Sequence, residues 1–211
     1  MNARTPGTTS PDATPDPTAR WRHFADWAKR HPSALKLADW LGRGTGRFRW
    51  FDSIEFSRVP AAPRKPDLSD WTMRELSAVW LGHATVLLRV GGVGGKTILT
   101  DPVLSKRVGF GLFGRTMGPK RLVAPALSER ELPAIDVILL SHAHFDHYDL
   151  PTLRRLREGP GRGATVITSE RNGDLVGPLG YKRVVELGVD ESIDAGVRVT
   201  ALPVKHWGAR V

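Results

Sequence analysis

An α/β domain behind a polar, basic extension is the architecture this sequence predicts, and three observations predict it. Short runs rich in Val, Ile and Leu recur from about position 76 onward, divided by Gly, Asp and Pro; runs of that length read as strands between turns. One of these runs leads, through a cluster of histidines, into a segment opened by Asp149 and Pro151, residues suited to the start of a helix. The first 75 residues are different in kind, polar at the start and interrupted by Pro and Gly throughout.

Taken in order, residues 1–20 hold four prolines and almost no large apolar side chain, which predicts a disordered tail. Residues 21–41 place Trp21, Phe24, Trp27, Leu35, Leu37, Trp40 and Leu41 at roughly helical spacing, interrupted at Pro32,. Residues 42–46 break that pattern, and Pro60, Pro63 and Pro66 make a stiff connector,. Residues 21–75 are therefore expected to be a partly helical extension on or beside the main domain, which runs from 76 to 211. Within that domain residues 77–90 alternate and predict a strand, with Gly82 allowing close packing. Residues 91–95 predict a tight turn, and 97–100 the returning strand, ending at Asp101-Pro102,. A Gly-rich loop is expected over 109–120 and a buried strand over 135–140,. A helix capped by Asp149 should run to about Arg157, and further strands should cover 164–168, 183–187 and 197–204,. There is no internal repeat.

Composition narrows the chemistry. The chain of 211 residues has no cysteine, so disulfides and thiolate ligands are excluded, and any metal site must use His, Asp or Glu. No apolar run approaches the roughly 18 residues of a membrane span, and the first 20 residues lack the apolar core of a signal peptide; a cytoplasmic location is the expectation. The net charge is +9, and residues 1–66 carry 12 Lys/Arg against 6 Asp/Glu. Such a basic segment suits nucleic acid or an anionic lipid surface, although a solvated face is the plainer reading. Trp21, Trp27 and Trp40 read as core residues, with a basic, Trp-bearing helix on a membrane surface as the alternative.

The most informative stretch is Ser141-His-Ala-His-Phe-Asp-His147. His142 and His144 stand two positions apart and can reach one ion from a looped backbone. Asp146 and His147 project differently and can serve a second ion. His206 follows the last strand candidate, so these ligands all fall just past predicted strand ends. In paired-metal hydrolases the ions lie about 3.5–4 Å apart and lower the pKa of water to near 7, giving a nucleophile without serine or cysteine. A His and carboxylate set accepts Zn, Mn or Fe. His83 reads as a satisfied core histidine or a support beside the site, with direct substrate contact as the alternative. Asp101 suits either an acceptor for a ligand histidine or a turn. Lys120-Arg121 could hold a phosphate or be a solvated pair, His23 and His31 read as surface residues, and the loop at 109–118 has no nucleotide-binding glycine pattern.

Ser-His-x-His-x-Asp-His resembles the signature of the metallo-β-lactamase fold superfamily. Trp80-Leu-Gly-His-Ala-Thr-Val86, Leu99-Thr-Asp-Pro102, Gly118-Pro-Lys-Arg121 and Leu132-Pro-x-Ile-Asp136 sharpen the likeness to its N-acyl-phosphatidylethanolamine-hydrolysing phospholipase D group, over about residues 76–211. The resemblance implies an αβ/βα sandwich of which this chain supplies the first half, as a fragment of a longer protein or a truncated product. It implies two divalent ions, Zn first with Mn or Fe as alternatives: His142, His144 and His206 hold one, while Asp146 and His147 hold the other, which lacks a later Asp and His. Asp146 would also orient or deprotonate the attacking water, His83 would lie near the metals, Trp207 would match a His-Trp pair, and Arg210 would add positive charge.

The implied activity is metal-dependent hydrolysis of a phosphodiester or phospholipid. Alternatives are a lactonase or thioesterase, and a non-catalytic metal-binding fragment. The implied partner is a small-molecule or lipid phosphodiester, with peripheral membrane contact; nucleic acid is disfavoured and the oligomeric state is open.

Overall fold

The computed structural model describes residues 59–112 and 115–205; the expectations for residues 1–58 and for His206, Trp207 and Arg210 lie outside them. Ten strands occur among the described residues: β1 (Leu76–Gly82), β2 (Thr85–Val90), β3 (Lys96–Thr100), β4 (Phe110–Leu112), β5 (Arg115–Met117), β6 (Val137–Leu140), β7 (Thr165–Ser169), β8 (Arg183–Leu187), β9 (Ser192–Asp194) and β10 (Arg198–Thr200). Helix α1 (Leu150–Glu158) follows β6, and a single turn, α2 (Gly173–Val176), follows β7. Six strands form one mixed sheet in the order β1-β2-β3-β6-β7-β8. β1, β2 and β3 are antiparallel neighbours, while β3, β6, β7 and β8 pair in parallel, with Leu99 opposite Ile138 and Ile138 opposite Val166.

β6 is central because its sequence, Val-Ile-Leu-Leu, offers an apolar side chain to both faces, as a strand covered on both sides requires,. Alternation then sorts the core. Ile138 and Leu140 join Leu87, Leu99 and Val166 under Tyr148, Leu153 and Leu156. Val137 joins Ile98, Ile167 and Leu187 on the opposite face, against Ile193, Val197 and Val199 of the β9–β10 hairpin. Asp136, just before β6, sets the register: its carboxylate accepts the Thr97 amide at 2.8 Å and Lys96 Nζ at 3.3 Å. Trp71 is buried in the core, with Leu68 packed against it, so the described end of the expected extension packs on the sheet.

Four local expectations change. The strand expected over 77–90 is a hairpin, broken at Gly82 and His83, which take φ of 115° and 52°. Apolar alternation runs across the break, so periodicity alone hides it. The loop expected over 109–120 contains the short β4–β5 pair. The strand expected over 197–204 shrinks to β10, paired with β9, a strand the sequence pattern does not announce. Asp149 stands at the start of α1, but its side chain caps no backbone amide of that helix. It instead accepts the Thr152 hydroxyl at 2.6 Å and the Ser105 amide at 3.1 Å, spending its acceptors on tying α1 to the loop after β3.

Leu153 is fully buried in this core, whereas Leu76 is 65% exposed. Leu153→Ala is expected to cost about 2–5 kcal/mol and Leu76→Ala less than about 0.5 kcal/mol, measured by urea unfolding followed by circular dichroism.

Candidate metal centre

β3 and β6 lie side by side and end together, and the loops leaving them carry the polar cluster. At the end of β3, Asp101 takes φ of 36° and is only 8% exposed. Its amide donates to the Leu139 carbonyl at 2.8 Å, and its own carbonyl accepts the Thr85 hydroxyl at 2.8 Å. A left-handed backbone is uncommon for residues other than glycine, with Asp among the more tolerant. Here it turns the carboxylate toward the loop after β6. Oδ1 accepts the Ser141 amide at 2.7 Å, and Oδ2 accepts the Ser141 hydroxyl at 2.7 Å and lies 2.8 Å from His147 Nδ1.

These contacts fix proton positions. An ionised carboxylate only accepts, so His147 donates from Nδ1 to Asp101, and Nε2 is the ring nitrogen turned away from that bond. The Ser141 hydroxyl gives its proton to Asp101, so at 2.9 Å it accepts from His142 Nδ1. His142 Nε2 is then the basic nitrogen and accepts from His144 Nδ1 at 3.0 Å. Asp101 thus presents the basic nitrogens of two histidines, one directly and one through Ser141. A carboxylate or hydroxyl behind an imidazole is the usual device for fixing the tautomer and raising the basicity of a ligand.

Of the ligands the sequence suggests, His142 and His144 come together as one pair, their rings 4.5 Å apart, and the His142 ring lies tilted against His147 with centroids 4.1 Å apart. Asp146 and His147 form a second group with His83. One ligand atom from each of these three residues lies within 4.8 Å of the others. His83 Nε2 is 3.1 Å and His147 Nε2 is 3.7 Å from Asp146 Oδ2. Burial pushes the Asp146 carboxyl up, but the His83 hydrogen bond, a backbone amide and the charges of His147 and His83 outweigh it, holding the pKa below the ordinary carboxylate value. The donor set, imidazole and carboxylate with part of the cluster open to solvent, fits a divalent ion of the Zn, Mn or Fe kind.

His83 reaches the site because of the turn before it. Gly82 accepts a φ of 115° that only glycine takes without strain, and a Cβ there would lie 2.8 Å from Arg121 Nη2,. The Trp80 indole donates to the His83 carbonyl at 2.7 Å. Arg121 is half-buried against this turn and donates to the Val103 carbonyl at 2.5 Å and the Val123 carbonyl at 3.2 Å. Desolvation draws its pKa below the ordinary value, opposed by the charge of Asp149. Three participants escaped the sequence reading: Ser141, Thr85 and Trp80. Each stands inside a quoted motif, yet only the folded turns show what it holds.

The sequence profile of the beta-lactamase superfamily domain matches residues 96–211. The chain belongs to the metallo-β-lactamase superfamily. It is 31% identical over 166 residues to an uncharacterised protein of Mycobacterium tuberculosis, covering 72% of this chain and 40% of that one. It is 35% identical over 144 residues to an N-acyl-phosphatidylethanolamine-hydrolysing phospholipase D of Caenorhabditis elegans, covering 64% and 39% of the two chains. Against a metal-dependent hydrolase of Cupriavidus taiwanensis it is 36% identical over 160 residues, covering 70% and 46%. The chain therefore spans less than half the length of these curated relatives.

Asp101→Asn keeps a residue that tolerates the left-handed backbone but removes the charge that three donors share. A loss of about 1.5–3 kcal/mol is expected, read from urea unfolding; wild-type stability would mean the three bonds carry no net energy.

Proposed function

We propose that this chain forms part of a metal-dependent hydrolase acting on a phosphodiester, with a phospholipid as the substrate class. The observation that carries the reading is the way Asp101, buried at the end of β3, orients His147 directly and His142 through Ser141, because a merely structural cluster has no need for two imidazoles with defined tautomers. In this reading His142 and His144, with His206, hold one ion, and Asp146 and His147 belong to a second. When bound, such ions polarise a phosphoryl oxygen and acidify water near neutral pH.

The protein's own contributions follow from the geometry. Asp101 and Ser141 hold the imidazoles rigid. Asp146, kept ionised by its neighbours, is the base that orients the attacking water and takes its proton. The likeness to the Caenorhabditis elegans phospholipase supports a phospholipid. So do the exposed apolar side chains of Trp80, Leu122 and Val123 around the Gly82–Arg121 turn, which suit an acyl chain. No helix among the described residues is long and apolar enough to cross a membrane, so approach to a lipid surface would be peripheral, and a cytoplasmic location is part of the same proposal.

The test is hydrolysis of a chromogenic phosphodiester by the full chain after loading with Zn²⁺ or Mn²⁺, beside Asp146→Asn and His142→Ala. The expected outcome is metal-dependent turnover that falls at least about 100-fold in Asp146→Asn, the lower end of the range for a general base, and loss of one of the two bound ions in His142→Ala. Turnover of a thioester or lactone but no phosphodiester would redirect the reading to carbonyl chemistry. A chain that binds no ion would overturn it.

A further inference from the structure

The ligand assignment implied by the superfamily motif gives Asp146 and His147 to a second ion and places His83 only nearby. The fold brings the three together. The His83 imidazole meets Asp146, not the sheet interior, and it does so from a backbone with φ of 52° in a turn whose preceding glycine is at 115°. A left-handed conformation is unfavourable for a residue with a Cβ, and the surroundings over-determine it here. The Trp80 indole clamps the carbonyl, and Arg121 lies where a side chain at position 82 would go. Strain of this kind is maintained where a side chain must be delivered to a particular place.

Distance says what that place is. Two ligands about 2.1 Å from one tetrahedral ion stand about 3.4 Å apart. The separations from Asp146 Oδ2 to His83 Nε2 and to His147 Nε2, 3.1 and 3.7 Å, bracket that value. Asp101 engages His147 through Nδ1, so Nε2 is the nitrogen that faces Asp146. The side chains of His83 and Asp146 are 46% and 41% exposed, so an ion has a path in. We infer that His83 is itself a metal ligand, forming one site with Asp146 and His147. The inference rests on the metal-site reading above and adds to it a ligand outside the histidine motif.

The probe is Co²⁺ alone, titrated into the metal-free full chain, with stoichiometry from equilibrium dialysis and coordination from the visible spectrum. Four variants are compared with wild type: His83→Gln, His83→Ala, the double variant His142→Ala/His144→Ala, which leaves the trio intact, and that double variant carrying His83→Gln as well. The expected result is one ion retained by the double variant. Removing His83 in that background should lower its affinity more than about 100-fold, beyond the 10–100-fold typical of a residue that only supports a ligand, and should change the cobalt spectrum.

The ¹⁵N shift of the His83 ring on Zn²⁺ addition to wild type gives the same answer without a variant: Nε2 moves from a protonated to a metal-bound position. Wild-type chain that binds metal while His83→Gln keeps the same affinity and spectrum would overturn the inference and leave the broader reading standing. Wild-type chain that takes up no Co²⁺ would overturn both.

Discussion

One carboxylate organises this structure. Asp101 sits where β3 ends, and its two oxygens receive the Ser141 amide, the Ser141 hydroxyl and His147 Nδ1. Without it, the loop after β6 has no reason to turn back over the strand ends. With it, the parallel pairing of β3 and β6 is continued past the last ladder bond by side-chain hydrogen bonds. The same bonds that close the loop decide which imidazole nitrogens carry protons. Folding and site chemistry are therefore one constraint: a carboxylate held nearly dry in a left-handed backbone has its acceptors spoken for by groups that would otherwise be unpaired.

The sheet beneath supplies the rigidity this arrangement needs. On one face Ile138, Leu99 and Val166 pack beneath α1, and Asp149 and Thr152 bind the loop that follows Asp101. Both neighbours of the site, the β3 loop and the β6 loop, are thereby fastened to a helix whose apolar side is buried. On the other face the β9–β10 hairpin covers β6 and β7, while Leu76 and Trp80 on β1 remain exposed. The Trp80 ring is not idle there. Its N–H holds the turn that carries His83, which links an exposed edge of the sheet to the centre of the cluster.

Much of this was legible in the sequence because its signals were local. The Val-Ile-Leu-Leu run of β6, the Asp-Pro after β3 and the histidine motif each announce themselves within a few residues. So did the α/β class and the superfamily. Less legible were features that depend on a sign of φ or on a partner far along the chain. Residues 77–90 read as one strand because alternation survives the Gly82–His83 turn. Asp149 looks like a helix cap until Ser105, 44 positions earlier, claims its carboxylate. Nothing near Ser141 in sequence says that its hydroxyl bridges Asp101 and His142, since Asp101 lies 40 positions away. The pairing of His83 with Asp146 spans 63 positions, and only the tertiary fold brings the two motifs together.

The most direct test of this account is the tautomeric state of His147, read from ring ¹⁵N shifts of the metal-free chain near pH 8. If Asp101 organises the site, His147 is locked as the Nδ1-protonated form, with Nε2 at the shift of an unprotonated nitrogen, and the lock disappears in Asp101→Asn. A His147 ring that is Nε2-protonated, or that averages freely between the two forms in the wild-type chain, would contradict it.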